Sequence, residues 1–190
     1  IYIPVYNGEK TIEACLQSVL NQTLKPKKIL IINDNSNDAT LKILEQYKDR
    51  IEIINNDSNK GVSYSRNLAI NILKSKYIAS IDADVVISEN WLKQVFLSLK
   101  KNEATLVGGK LYEKYLNNPC NYWRSIRLKQ NWGDKDLKDP PFIFGCNNIL
   151  DTTNLVIEEL YNNVGEYFKL NGEDTELCQF LKKKNHIIEF

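Results

Sequence analysis

Tyr77-Ile78-Ala79-Ser80-Ile81-Asp82-Ala83-Asp84 reads as an apolar strand that runs directly into two carboxylates with one small residue between them. The segments on either side read as helices. Val62 to Leu73 has helical periodicity, with Ser65, Ala69, Ile72 and Leu73 inward. Trp91-Leu92-Val95-Phe96-Leu99 forms the apolar face of a helix that Ser88 is placed to cap. The same alternation extends back to the start. Ile1 to Val5, Lys28 to Ile32 and Ile51 to Ile54 are short apolar strands. Between them lies a helix marked by Ile12, Leu16, Val19 and Leu20, with Thr11 as cap and Pro26 beyond its end. A second is marked by Leu41, Leu44 and Tyr47. Strands rich in Ile and Val, alternating with helices, predict an α/β domain with a mostly parallel sheet. Such sheets bind ligands at the carboxyl ends of their strands. The turns after strands one, two and four carry Tyr6-Asn7, Asp34-Asn35 and Asp82-Ala83-Asp84, so all three are expected on one edge of the sheet.

The second half is less regular. Leu106 to Leu111 and Phe142 to Gly145 read as strands, and Asn121 to Lys129 and Leu155 to Leu160 as helices. Glu173-Asp174 opens a last helix with Leu177, Cys178 and Leu181 inward. The chain starts at Ile1-Tyr2-Ile3 inside a strand and ends at Ile187-Ile188-Glu189-Phe190 in another. It is expected to be a piece of a longer protein, with sequence missing at both ends.

Hydrophobic residues at 43% and charged residues at 26% supply a globular core and exclude a disordered tail, a collagen-like fibre and a disulfide-stapled module. Lys plus Arg is 25 against 24 for Asp plus Glu, a net charge of +1 that carries no nucleic-acid footprint. No apolar run approaches the roughly 20 residues of a bilayer span, and no signal-peptide pattern opens the chain. Cys15, Cys120, Cys146 and Cys178 form no CxxC pair, and no histidine lies at metal-ligand spacing from them. A reduced, cytoplasmic setting is expected. Lysines far outnumber the four arginines, and Asn and Ile are abundant, as an AT-rich bacterial genome would produce.

Familiar phosphate-binding patterns are missing. There is no GxGxxG after the first strand and no GxxxxGK[ST]. The only histidine, His186, sits in a late apolar segment where a structural role is expected rather than triad chemistry. Asp82 and Asp84, at i and i+2 of an extended segment, point the same way. They can address one hard cation such as Mg²⁺ or Mn²⁺, or be solvated aspartates of a loop. Asp34 can accept a nucleobase N–H or make an Asx turn. Tyr6 can stack on a base or pack on the surface. Arg66 can bind a phosphate or a base edge, or form a surface ion pair.

Together these pieces have an order. Ile3-Pro4-Val5-Tyr6-Asn7, Ser18 to Thr23, Ile31 to Thr40, Gly61-Val62-Ser63-Tyr64-Ser65-Arg66-Asn67, Ile81-Asp82-Ala83-Asp84, Phe144-Gly145-Cys146-Asn147 and Gly172 to Leu177 follow one another along the chain. The series resembles family 2 glycosyltransferases over nearly the whole length. The resemblance implies a GT-A fold, in which a nucleotide-binding α/β half (residues 1–105) continues into an acceptor-binding and catalytic-base half (residues 106–190) within one domain. It implies inverting sugar transfer from a nucleotide-sugar donor, with a UDP-sugar favoured, to a saccharide or lipid-linked saccharide acceptor in bacterial glycan assembly. By the same resemblance Pro4 and Tyr6 line the nucleoside pocket, Asp34 contacts the base with Arg66 beside it, and Asp82 faces the ribose. Asp84, with Asp82 beside it, takes a divalent metal, Mn²⁺ or Mg²⁺, on the diphosphate. Asp174 matches the general base, next to Glu173.

Some residues depart from the family pattern. Asn33-Asp34-Asn35 stands where many relatives have paired aspartates and a glycine, and Val85 follows Asp84 where relatives often carry another Asp. Residues 112–141 are expected on the acceptor side, with Asn147 close by. There Tyr122, Trp123 and Trp132 either stack on sugar faces or belong to the core, and Arg124 and Arg127 face a diphosphate or solvent. Lys182-Lys183-Lys184 reads as a solvated helix end, with contact to the inner face of a membrane as the alternative. A nucleotide- or glycan-binding domain without turnover is the competing function. A nucleotidyltransferase is a third, but Tyr6-Asn7-Gly8-Glu9-Lys10 fits its glycine-rich basic loop poorly.

Overall fold

The computed structural model describes residues 1–127, 131–155 and 173–190. Seven strands form one sheet: β1 Tyr2–Val5, β2 Leu30–Asn33, β3 Glu52–Asn55, β4 Tyr77–Ile81, β5 Leu106–Gly108, β6 Asn147–Asp151 and β7 Ile188–Glu189. Their order across the sheet is β3-β2-β1-β4-β6-β5-β7. The pairs β3-β2, β2-β1, β1-β4 and β5-β7 are parallel, while β6 runs antiparallel to both β4 and β5. The first four strands follow the sequence reading within two residues at each end. The helices are α1 Ile12–Leu20, α2 Thr40–Glu45, α3 Val62–Leu73, α4 Trp91–Lys101, α5 Pro119–Arg127 and α6 Glu173–Lys183.

Alternation along the strands sorts the core into two layers. Ile3, Val5, Ile31, Ala79 and Ile81 face α1 and α4, where Ile12, Leu16, Val19, Val95 and Leu99 meet them. Tyr2, Leu30, Ile32 and Ile78 face the other way, toward Ala69 and Ile70 of α3 and Cys178 and Leu181 of α6. Ile12, Leu16 and Val19 are wholly buried. Truncating any one to Ala would cost on the order of 2–4 kcal/mol. Strands from both halves of the chain share this sheet.

Several local expectations are corrected. Phe142 to Gly145 is not a strand. The strand begins two residues later at Asn147 and pairs with β4 and β5. Ile143 is apolar because it is 1% exposed beneath Gly108, not because it pairs. The strand expected to reach Leu111 ends at Gly108. Asn90, not Ser88, is the N-cap residue of α4, and its side chain makes no capping bond. Instead Gln22 caps the helix from a distance, its Oε1 accepting from Leu92 N–H at 2.9 Å. Thr11 precedes α1 without a side-chain capping bond. The helix expected near Asn121 begins at Pro119, and the one expected over residues 155–160 lies outside the described residues after 155.

Candidate active site

The loops after β1 and β2 are laced together. Asn7 N–H donates to Ser36 Oγ at 3.0 Å, Gly8 N–H to Thr40 Oγ1 at 2.8 Å, and Asn37 N–H to Asn7 Oδ1 at 2.9 Å. Asn7 and Asn35 turn the chain at φ 51° and 59°, a left-handed conformation that asparagine tolerates better than most residues. This lacing fixes the edge of the sheet where the three polar turns converge.

A pocket of about 120 Å³ opens there, lined by Pro4, Val5 and Tyr6 after β1, Asp34 after β2, Asp82 after β4, and Val62 and Ser65 of α3. Four residues expected at a donor site, Pro4, Tyr6, Asp34 and Asp82, thus meet in one cavity. Val62 and Ser65 were not singled out for binding, although Ser65 was read as inward-facing. Tyr6 is 49% exposed at the mouth.

Asp34 does more than face the cavity. It is 3% exposed, and its Oδ1 accepts from Asn56 Nδ2 at 2.6 Å and from Lys60 N–H at 2.9 Å. Its Oδ2 accepts from Gly61 N–H at 2.8 Å. The carboxylate therefore organises the loop from β3 into α3 and compensates its own burial through three donors. Each oxygen accepts two bonds, so Oδ2 retains a lone pair.

Arg66 is 7% exposed and donates from Nη2 to Asp82 Oδ1 at 2.8 Å. The surface-pair alternative is corrected on the arginine side, because the Arg66 side chain is buried while Asp82 stays 32% exposed. Asp84 is exposed at the turn after β4. Both carboxylates bear on the thiols of Cys15 and Cys146. Burial, with the neighbouring aspartates, pushes each thiol up to about 12. Thiols held protonated are neither nucleophiles nor metal ligands near neutral pH. Among the described residues no group of three or more His, Cys, Asp or Glu could hold a metal by itself. The acidic pair offers only hard oxygen donors, which suits Mg²⁺ or Mn²⁺ completed by ligands from a substrate.

Asp174 stands in the first turn of α6. Its Oδ2 accepts from Gly145 N–H at 3.3 Å and its Oδ1 from Thr175 N–H at 2.7 Å. Asp174, Arg66 and Gly145 line one further small cavity between α3, α6 and the sheet. Glu173 is the first residue of α6.

The acceptor-side expectations fare unevenly. Trp123 is exposed on α5, a helix with no buried residue. Trp132 donates from Nε1 to Phe142 O at 2.8 Å and stacks on Phe144 at 6.1 Å, so packing accounts for it. Asn147 is 2% exposed at the start of β6, behind Gly109 and opposite Ile81 in the sheet. Lys182 pairs with Asp139 at 2.9 Å, while Lys183 and Lys184 are exposed at the helix end. Among the described residues no helix is long and apolar enough to cross a membrane.

The profile of glycosyl transferase family 2 matches residues 1–157. The chain belongs to that family. Over 154 residues it is 40% identical to a poly(ribitol-phosphate) beta-glucosyltransferase of Bacillus spizizenii, covering 76% of this chain and 23% of that protein. Over 120 residues it is 37% identical to an Escherichia coli protein named UDP-Glc:alpha-D-GlcNAc-diphosphoundecaprenol beta-1,3-glucosyltransferase, covering 62% and 47%. The chain thus spans less than half the length of these relatives. Staphylococcus aureus TarS, solved with UDP, superposes with a TM-score of 0.69 at 19% identity, covering 93% of this chain and 52% of that one. A Pyrobaculum calidifontis mannosyltransferase, solved with GDP-Man and Mn²⁺, superposes with a TM-score of 0.69 at 14% identity, covering 98% and 52%. These likenesses show the fold, the GT-A arrangement of a family 2 transferase.

Proposed function

We propose that the protein transfers a sugar from a nucleotide-sugar donor, a UDP-sugar by preference, to a hydroxyl of a saccharide or lipid-linked saccharide, with inversion at the anomeric carbon. The observation that carries this is the single pocket uniting Pro4, Tyr6, Asp34 and Asp82 at the carboxyl edge of the sheet, with Arg66 paired behind it. A relative named for a UDP-glucose donor and a diphosphoundecaprenol-linked acceptor, and neighbours solved with UDP or with GDP-Man and Mn²⁺, support it. Residues 1–105 hold the donor, and residues 106–190 supply the acceptor side and the base. The setting is bacterial glycan assembly in the cytoplasm, at the inner face of the membrane when the acceptor is lipid-linked.

In this mechanism the Tyr6 ring stacks on the base, and the spare lone pair of Asp34 Oδ2 accepts a base N–H. Asp82 borders the ribose while Arg66 balances its charge, which limits repulsion toward a diphosphate. Asp84, with Asp82 beside it, is the place for a divalent cation. When bound there, Mn²⁺ or Mg²⁺ supplies Lewis-acid stabilisation of the charge on the diphosphate. Asp174 takes the proton of the acceptor hydroxyl as that oxygen bonds to the anomeric carbon. The carbon–oxygen bond to the diphosphate breaks on the opposite face, and its electron pair leaves with the nucleotide. Proton NMR of the product formed from an α-linked donor tests the stereochemistry. A β-linked product is expected, and a retained α linkage would contradict the mechanism.

A further inference from the structure

We infer that Gly145 is a positioning residue that ties the donor pocket to the base, an inference that rests on the donor and base assignments above. Gly145 lies in the turn before β6, and one peptide unit there serves two partners. Its N–H donates to Asp174 Oδ2 at 3.3 Å. Its Cα faces the Arg66 guanidinium so closely that a Cβ would collide with Nη1 and stand 2.9 Å from Cζ and 3.1 Å from Nη2. The turn is itself held, because Asn148 Nδ2 donates to the carbonyls of both Phe144 and Gly145 at 3.1 Å.

The need for glycine here is one of space, since φ lies outside the left-handed region. The far end of an arginine side chain normally gives way to a methyl group. This guanidinium is 7% exposed and bonded to Asp82 at 2.8 Å, so it yields only by disturbing that pair. If the turn yields instead, the amide withdraws from Asp174. Either movement links the pocket-lining Asp82 to the proton acceptor through Arg66 and the 145 peptide. A small displacement at a reacting group is enough to lower turnover severely. Bare glycine at 145 is therefore what lets the donor-side ion pair and the base hold their places together.

The test is a double-mutant cycle of Gly145→Ala and Arg66→Lys in the full-length protein. UDP affinity is read by calorimetry and sugar transfer by steady-state kinetics. Gly145→Ala is expected to weaken UDP binding about tenfold and to lower kcat about tenfold, with cooperative melting retained. Lysine lacks the forked guanidinium that the new methyl would strike. In the Arg66→Lys background the added effect of Gly145→Ala on UDP binding should shrink to within about twofold. Independent, multiplying effects in a protein that binds UDP would overturn the coupling alone. Wild-type protein that binds no UDP would overturn the donor assignment and the coupling with it. Should Gly145→Ala fail to fold, the double variant decides. Restored folding supports the collision, and continued unfolding overturns it.

Discussion

Replacing Asp34 with Asn keeps the shape of the side chain and removes its charge. The carboxylate is 3% exposed and accepts three N–H groups, from Asn56, Lys60 and Gly61, at 2.6, 2.9 and 2.8 Å. In Asp34→Asn the single carbonyl oxygen can keep Asn56 and Lys60, but the new NH₂ then faces the Gly61 N–H, donor against donor. One bond to a charged acceptor disappears, worth about 2 kcal/mol, and two others weaken by about 1 kcal/mol each. Relief from burying a charge offsets part of this. The net expectation is a loss of about 2–3 kcal/mol in folding stability. Urea unfolding should show it as a lower midpoint with an unchanged slope. UDP affinity should fall by at least about tenfold, from the lost base contact and the loosened Asn56–Gly61 loop. A variant within about 0.5 kcal/mol of wild type would refute the bonding scheme, because that is the range of a surface substitution. Wild-type UDP affinity would refute the base contact.

Other expectations follow from the same geometry. Asp174→Asn should lower kcat by about 10²–10⁴-fold while leaving the UDP dissociation constant within about twofold, as stopped turnover and calorimetry would show. The buried thiols give an alkaline signature. Cys15 and Cys146 are pushed up to about 12 and Cys178 to about 11, from an ordinary 9.0, chiefly by burial. Their folded values lie above their unfolded ones, so their contribution is intact below pH 9 and erodes as pH rises toward 11–12. The unfolding free energy from urea titrations should fall from pH 9 to 10 by about 1 kcal/mol for each thiol, and flat stability over that interval would contradict their burial. Among the four cysteines only Cys120 is exposed, so an aromatic disulfide reagent at pH 8 should titrate one thiol rapidly in native protein and four in urea.

The strands were legible because each is a short run of Ile, Leu or Val that ends abruptly in polar residues, as at Ile81-Asp82 and Ile32-Asn33-Asp34. Parallel order then placed the three turns on one edge, and the pocket lies there. The β6 strand was misplaced because it opens with Asn147-Asn148 rather than an apolar residue. The Asn148 side chain serves the loop before it, bonding back to Phe144 and Gly145, while that of Asn147 reaches Lys110 O. Meanwhile Ile143 owes its apolarity to burial under Gly108, a contact between distant segments that no local period reports. The cap on α4 comes from Gln22, 70 residues away in sequence, and is equally silent in local pattern. Asp34 was visible as a strand-end carboxylate, but not as the acceptor for a loop more than 20 residues later. Gly145 lay within a stretch that carried the family resemblance, yet its need for bare space follows only from the path of Arg66 across the fold.

The most direct test of a metal-assisted nucleotide-sugar site is a calorimetric titration of UDP, dTDP and GDP, each with and without Mn²⁺, into wild-type protein and Asp84→Asn. Asp84 is exposed, so its substitution should leave the fold intact. The expected result is selective binding of UDP that Mn²⁺ strengthens by about tenfold or more in wild type and barely changes in Asp84→Asn. A folded wild-type protein that binds none of the three nucleotides in the presence of Mn²⁺ would contradict the donor site itself.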